Sequence, residues 1–583
     1  MATRVEPNAL RRVLVVPLIR ITPSLAVLSY TVPEGLDVLP GACVQVPFRT
    51  KTIDGIVWDE DRTVARKGTK NIIAQKGALT LTAEQFILAK WLAAETLTPI
   101  NVILRSMVLG DGSRDQGQNA LKRQVSIVEC PTGSARLQVL NEWSKRIAQK
   151  ATRTLIVVPN QGAATQWMAA LTKLTPLHIV PTRSGMAQQR LRANLKTTKT
   201  YITTHVGLLY PLPKIERVIL DLADDEGYFA FDQSPRIDIR ALTEKFSQIH
   251  SASLLVLTRW MSPTLKGVFP MTVPTCIGTR PEGTIIDREN EPPAERGNLP
   301  PTYVLEKLQS TRTLWLHQRT SEAGWYTCFD CGTSVRCPRC AKPLRVYARN
   351  PLTLECLQDH LRLAAPSKCE NCKGTKLTTR SPGVQQVART ISNLTGASAV
   401  ATLERGLIQG DLRTALHVVS TTAVGSYPTL SFDAAVFLQP DRYFSQPGYR
   451  AAEQFFSTLA LIRATLTPKG LLYIVTYKTE MPAYKFLNNP NAWTQQTLVE
   501  RTELNFPPVG TMILIRPRMR TSRPAATAFM EKALPNGVTS VQIGAAWLLR
   551  TAHPLRSTLL EFLQRHLDPT WEAIVNPPAL PLD

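Results

Sequence analysis

Seven of the chain's ten cysteines fall within the 45 residues from Cys328 to Cys372, and that cluster limits the local fold more than any other feature. The spacing is C-x2-C-x5-C-x2-C through Cys328, Cys331, Cys337 and Cys340, then Cys356, then C-x2-C at Cys369 and Cys372. Two cysteines separated by two residues place both sulfurs on one tetrahedral ion at about 2.3 Å, so four such knuckles make two closed zinc sites. Two Zn2+ per chain are therefore expected. The third knuckle is broken: it reads Cys356-Leu-Gln-Asp359-His360, which leaves Asp359, at the usual spacing, or His360, one residue later, as the eighth ligand. Imidazole is the more usual structural ligand, which favours His360. A disulfide cluster fits poorly, because the count is odd and no secretory pattern precedes it. From Cys328 to Arg380 there are ten Lys/Arg and four Asp/Glu, with Trp325, Tyr326, Phe329 and Tyr347 interleaved or just ahead. These aromatics serve either a nucleic-acid strand or a small core around the metals.

Length and charge frame the rest. At 583 residues the chain exceeds one hydrophobic core, and several domains are expected. Its 68 Lys+Arg against 45 Asp+Glu leave a formal charge of +23, which attracts a polyanion through counterion release. Nucleic acid is the first partner to consider; a ribosomal or membrane-surface protein can be equally basic. No apolar run reaches the roughly 18 residues of a membrane span, and Arg11, Arg12 and Arg20 interrupt the N-terminal apolar stretch. A soluble, cytoplasmic protein with no membrane partner is expected.

Periodicity divides the chain. RRVLVVPL, AVLSYTVPEG, GACVQVPF and TIDGIVW alternate like strands and predict a small β-rich domain, closed by the helical pattern TAEQFILAKWLAAETL and a linker, LGDGSRDQGQ. From about 124, apolar strands alternate with amphipathic segments (VSIVECP, TRTLIVVPN, KTYITTH, RVILDLADDE, SLLVLTR), which implies a parallel sheet covered by helices. TLWLH, ALHVVST, AAVFLQP and GLLYIVTY predict a second α/β unit around the cysteine cluster. The part from 501 opens with NFPPVG and carries Arg516, Arg518, Arg520 and Arg523.

YTVPEGLDVLPGACVQVPF, the cysteine module with its following SPGVQQVARTI, and GYRAAEQFF at 448–456 together resemble the family of the replication restart protein PriA, primosomal protein N′. The resemblance covers nearly the whole chain. It implies a multidomain α/β protein: an N-terminal β-rich 3′-end DNA-binding-like domain (1–106), a linker (107–123), helicase-like lobe 1 (124–275) and lobe 2 (276–500), a zinc-binding insertion (325–378), and a C-terminal α+β DNA-binding-like domain (501–583). It also implies forked and single-stranded DNA as ligands. Primosome proteins, the replicative helicase and single-stranded-DNA-binding protein are the implied partners. The family pairs the outer knuckles, Cys328 and Cys331 with Cys369 and Cys372, on one ion, and leaves Cys337, Cys340, Cys356 and the eighth ligand for the other.

The motifs for ATP chemistry depart from the family pattern. Its phosphate loop, Gly-x-Thr-Gly-Ser-Gly-Lys-Thr, falls on Cys130, Pro131, Thr132, Gly133, Ser134, Ala135, Arg136 and Leu137. Cys130 and Ala135 replace glycines where backbone N–H groups must approach phosphate. Arg136 keeps a charge as a planar guanidinium, and Leu137 cannot bind Mg2+. Of the Asp-Glu-Glu-His motif Asp221 remains, but Leu222 stands where a water-activating glutamate is needed. A shifted register would use Asp224, Asp225 and Glu226. The arginine-finger motif falls on LIRATLTP, with Arg463 out of step and no second arginine. Gly133, Ser134, Arg136 and Asp221 are the remaining candidate nucleotide contacts, and ATP with Mg2+ is not expected. In the N-terminal domain, Tyr30, Phe48 and Lys70 match the family's 3′-end pocket while Leu28, Ser29 and Arg49 do not; Tyr30 and Phe48 also read as core aromatics. General strand binding would use Arg49, Lys51 and Lys70.

Three functions remain open on this reading. The first is a DNA-binding restart protein that recognises stalled or abandoned forks and helps reload the replicative helicase without helicase activity. The second is a divergent ATP-dependent 3′–5′ DNA helicase, and the third a zinc-ribbon RNA-binding protein.

Overall fold

The computed structural model describes residues 11–578 apart from 20, 22–25, 62–68, 111–122, 150–151, 173, 182–184, 231–233, 290, 292–298, 319–324, 329, 332, 350–351, 357–358, 360, 381–382, 397–398, 445–447, 519–533 and 568–569. Most of the linker, His360, Arg520 and Arg523 lie outside the described residues.

The N-terminal region is a five-stranded antiparallel sheet in the order Leu28–Thr31, Arg12–Pro17, Lys51–Glu60, Ala42–Phe48, Ala74–Thr80. Alternation along Arg12–Pro17 sends Val13 and Val15 into a core of this sheet alone, and Val16 to the other face. On that second face lies helix Ala83–Thr96, opened by a capping box in which Thr82 and Gln85 satisfy each other's backbone N–H. Its Leu88 and Leu92 share one core with Leu155, Val218 and Phe246 of the next domain. Sheet and lobe are thus welded together.

Lobe 1 is a seven-stranded parallel sheet, ordered Thr275–Cys276, Val125–Glu129, Ser253–Thr258, Arg217–Leu220, Thr154–Val157, Thr200–Thr203, Leu177–Ile179. The strand TLIV is buried throughout, with Leu155 and Val157 facing one core and Ile156 the other. Helices on both faces explain why such strands read as unbroken apolar runs. Lobe 2 repeats the plan: Gly283–Asp287, Leu466–Thr476, Phe432–Leu438, Thr313–His317, His417–Ser420 and Val400–Glu404 are parallel, with Leu407–Gln409 as an antiparallel edge. Leu314 and Leu316 face one core, and Trp315 the other. Cys276 still pairs within lobe 1, so the sheets change over between it and Gly283.

Between the lobe 2 strand Thr313–His317 and helix Val384–Thr395 stands a five-stranded antiparallel insertion, ordered Arg362–Ala364, Leu352–Glu355, Arg345–Arg349, Trp325–Cys328, Leu377–Arg380. Tyr326, Leu344, Val346 and Leu354 form its small core beside Cys337 and Cys356. The C-terminal region is a four-stranded antiparallel sheet with helix Arg556–His566 across it. Among the described residues no helix is long and apolar enough to cross a membrane.

The lobes touch directly. A Cβ on Gly133 would lie 2.6 Å from the Ala464 carbonyl oxygen, and one on Gly162 2.0 Å from that of Ser426, so only glycine admits this approach. Arg450 of lobe 2 donates to Glu226 of lobe 1 at 2.7 Å and lies 3.7 Å from Glu453. Glu453 also accepts from Arg501 at 2.9 Å and from the Thr264 backbone N–H of lobe 1 at 3.2 Å. Burial alone would raise the Glu453 carboxyl, but Arg501, Arg450 and a hydrogen bond from the Thr264 hydroxyl hold it down at about 2.

Candidate functional site

The segment that would cradle phosphate leaves strand Val125–Glu129 at Cys130 and enters helix Gly133–Gln149. Thr132 caps that helix, its hydroxyl accepting from the Ala135 N–H at 3.3 Å. One N–H that a phosphate would claim is thereby satisfied. Cys130 is buried; burial, aided by the Asp221 carboxylate, pushes its thiol up to about 12.

Arg136 then closes the site. Its side chain is 6% exposed and that of Asp221 0%. Arg136 Nε donates to Asp221 Oδ1 at 2.9 Å, Nη2 donates to Oδ2, and Nη1 donates to Gln166 Oε1. Trp167 Nε1 adds a bond to Asp221 Oδ2 at 2.8 Å. This is the bidentate geometry in which guanidinium and carboxylate bind best, with remaining polar atoms supplied by Gln166 and Trp167. The cation that would face phosphates and the acid that would face Mg2+ are spent on each other. Leu137 stands exposed on the helix, and Leu222, buried and at φ 51°, turns the chain away from the strand end. The residues present do not fit a bound ATP–Mg2+.

The shifted acids do not converge on an open metal site either. Asp224 accepts from the Thr258 hydroxyl at 3.0 Å and from Arg259 Nε at 2.7 Å. Asp225 caps Gly227 N–H at 2.9 Å, and Glu226 binds Arg450. Arg463 is buried, donating to the carbonyls of Pro281 and Leu487 at 2.8 and 2.9 Å, and so braces lobe 2 internally. Between the lobes an open cleft of about 840 Å³ remains, with Asn160, Asp225, Arg259, Arg405, Thr421 and Tyr443 on its walls.

The cysteines assemble differently. The sulfurs of Cys328, Cys331, Cys369 and Cys372 lie within 4.8 Å of one another, with Cys328–Cys372 at 3.5 Å and Cys331–Cys369 at 3.6 Å. A tetrahedral ion with about 2.3 Å bonds to sulfur separates its ligands by about 3.8 Å. The second cluster joins Cys337, Cys340, Cys356 and Asp359, also within 4.8 Å. Its Cys340–Cys356 separation is 3.4 Å, and Asp359 Oδ2 lies 3.3 Å from Cys337 Sγ. Asp359 N–H donates to Cys356 Sγ at 3.4 Å, as Arg339 N–H does to Cys337 Sγ. Asp359 thus stands where a knuckle's second cysteine would, and His360 lies outside the described residues. Both clusters can hold a metal ion.

In the N-terminal sheet, Tyr30 is buried, and its hydroxyl donates to the Pro47 carbonyl at 3.1 Å. Phe48 and Lys51 are cross-strand partners around a hairpin turn in which Arg49 has φ 54°. Lys70 Nζ donates to the Arg49 carbonyl at 3.3 Å, so Arg49, Lys51 and Lys70 meet at one hairpin end. Near the C-terminus, Arg516 pairs with Glu572 and Arg518 donates to the Trp571 carbonyl at 3.1 Å. Sequence reasoning missed Gln166 and Trp167, which no motif marks, and quoted Arg450 and Glu226 without pairing them.

Residues 17–108 match the family model of the PriA 3′ DNA-binding domain. The replication restart protein PriA of Haemophilus influenzae is 22% identical over 497 residues, covering 76% of this chain and 67% of that protein. That of Helicobacter pylori is 22% identical over 560 residues, covering 86% and 87%. That of Rickettsia conorii is 19% identical over 554, covering 82% and 83%. Among solved structures, that of the DUF1998 helicase MrfA bound to DNA and AMPPNP aligns at 11% identity with a TM-score of 0.35, over 80% of this chain and 59% of that one. With a family-specific domain at one end and similarity across most of the remainder, this chain is PriA-like.

Proposed function

We propose that this protein is a DNA-binding replication restart protein that recognises stalled or abandoned forks and helps reload the replicative helicase, and that it does so without hydrolysing ATP. The 3′ DNA-binding domain match over residues 17–108 supports the DNA ligand, and the net charge of +23 agrees with it. The buried Arg136–Asp221 pair carries the non-catalytic half of the reading. The lobes serve as a scaffold that holds the N-terminal hairpin, the metal module and the C-terminal domain in fixed relation. Forked and single-stranded DNA are its ligands. Primosome proteins, the replicative helicase and single-stranded-DNA-binding protein are its partners, in the cytoplasm.

The metal module holds two Zn2+ in this proposal, one on Cys328, Cys331, Cys369 and Cys372 and the other on Cys337, Cys340, Cys356 and Asp359. Zinc supplies cross-links in place of a large core. Arg49, Lys51 and Lys70 contact the strand.

Binding of a labelled fork, a blunt duplex and a structured RNA at matched salt tests the reading, with and without Mg2+ and ATP. Preference for the fork, unchanged by nucleotide and without strand separation, is the expected result. Hydrolysis coupled to unwinding overturns the non-catalytic half; equal affinity for RNA overturns the fork assignment.

A further inference from the structure

The outer edge of lobe 1 carries a charge pattern that none of the sites above uses. From Trp143 to Ile215 there are eleven Lys/Arg and no Asp or Glu, although 45 acids spread over 583 residues would place about five or six there. Surfaces that only need solubility mix both signs. The segment is also continuous in space. It supplies the three outer strands of the lobe 1 sheet, Thr154–Val157, Thr200–Thr203 and the edge strand Leu177–Ile179, together with helices Gln161–Ala170 and Gly185–Thr197.

The two acids that bound this segment in sequence offset only part of the charge of its eleven Lys/Arg. Glu142 pairs with Arg146 one helical turn on, and Glu216 accepts from the Arg153 backbone N–H at 2.8 Å. Arg190, Lys196 and Lys199 are exposed on and just after the outer helix. Beside them a groove of about 340 Å³ runs between that helix and the edge strand, walled by His178, Val180, Met186, Arg190, Leu191 and Asn194, none of them acidic.

The chemistry of this face selects among polyanions. Single strands are gripped by stacking bases on exposed aromatic rings. Here Trp167, Tyr201 and Tyr210 are buried, and Trp143 is half-buried with Arg146 and Arg217 over its ring. Cations without a stacking platform suit a phosphate backbone that keeps its bases inside, as a duplex does.

We propose that the outer edge of lobe 1 is a second nucleic-acid interface, holding the phosphate backbone of a duplex arm of the fork through Arg190, Lys196 and Lys199 without reading sequence. This rests on the restart reading above.

The test compares two triple variants that remove equal charge: Arg190→Gln/Lys196→Gln/Lys199→Gln at this edge, and Lys469→Gln/Lys478→Gln/Lys485→Gln at exposed positions of lobe 2. Each is titrated with a hairpin-capped duplex and a 3′ single strand between 50 and 200 mM salt. At about 0.9 per phosphate contact, the edge variant should flatten the duplex slope of log K against log salt by about 2 to 3. Single-strand binding should hold, and the lobe 2 variant should follow wild type on both ligands. An unchanged duplex slope, equal losses in the two variants, or a loss confined to the single strand each overturns this interface. If wild type fails to bind forks at all, the restart reading falls with it; if wild type binds forks and the edge variant behaves identically, only the interface falls.

Discussion

The nucleotide-like site and the metal module both depend on polar groups converging on an ion, yet their residues meet that need in opposite ways. Around Arg136 and Asp221 the convergence has turned inward: cation and carboxylate satisfy each other and are buried like core residues. Around Cys356 the missing cysteine has no such escape. Three cysteines around a common centre become thiolates when an ion binds among them, and a closed tetrahedral ion takes a fourth ligand. The structure puts the Asp359 carboxylate there. A pocket can be lost by filling it, whereas a metal knuckle must be repaired or the local fold goes with it.

The largest effect should come from attacking the metal side of this contrast. Structural zinc contributes about 10–16 kcal/mol of apparent binding free energy in small domains, and the insertion has only a small core to fall back on. Cys369→Ser should lower the zinc content from two ions to one and open residues 325–378 to protease, while lobe 1 melts as in wild type. Asp359→Ala should also lose one ion. Asp359→Cys should keep both and slow release of the inner one to a chelator, since thiolate is the softer ligand. Two ions retained by Asp359→Ala would move the eighth ligand elsewhere and break the parallel between the clusters.

A smaller effect is expected at the filled site. Asp221→Ala leaves Arg136 charged and unpaired in a buried position, and breaking a buried pair this way costs about 3–5 kcal/mol. Replacing both partners, Arg136→Met with Asp221→Leu, removes the uncompensated charge. What remains is the loss of partners for Trp167 N–H and Gln166, about 1–3 kcal/mol. Urea denaturation of Arg136→Met, Asp221→Leu and the double should therefore show strong positive coupling, with the double more stable than Asp221→Leu, which strands the Arg136 charge as Asp221→Ala does. Simple additivity would mean that the pair is solvated, and that the site is less closed than its geometry indicates.

The uneven legibility of the chain has the same physical origin. RVIL, TLIV and HVVS are sheet-centre strands whose burial on both faces leaves an apolar run, so the two α/β units could be read directly. The knuckles were legible because tetrahedral metal-site geometry acts over two or three residues. Arg136 and Asp221 are 85 positions apart, and Arg450 and Glu226 224 apart. The sequence marked Arg136 and Asp221 as remnants of a site but not as partners, because a pair at that separation exists only once the fold sets the first turn of helix Gly133–Gln149 beside the end of strand Arg217–Leu220. The preference for imidazole over carboxylate at the broken knuckle weighed ligand chemistry above spacing. At Asp359 the backbone N–H that bonds Cys356 Sγ belongs to the residue whose carboxylate joins the cluster, while His360 lies outside the described residues.

The smallest expected effect is the most direct measure of the closed site. A ligand held at a thousandfold above its dissociation constant stabilises the folded state by about 4.1 kcal/mol, so a working nucleotide site would raise the melting temperature of lobe 1 visibly in millimolar ATP and Mg2+. Here the phosphate would have to displace the Asp221 carboxylate from Arg136 and take the N–H that Thr132 already caps. The metal would meet Leu137 and Leu222 where a hydroxyl and a second acid are needed. Those costs consume the gain, and no shift in melting temperature or heat of binding is expected. Asp221→Ala sharpens the comparison, because it frees the guanidinium without restoring a metal ligand. If that variant binds inorganic phosphate while wild type does not, the pair itself is what shuts the pocket. If neither binds, the surrounding side chains suffice to exclude the anion, and the contrast with the metal module rests on packing more than on charge.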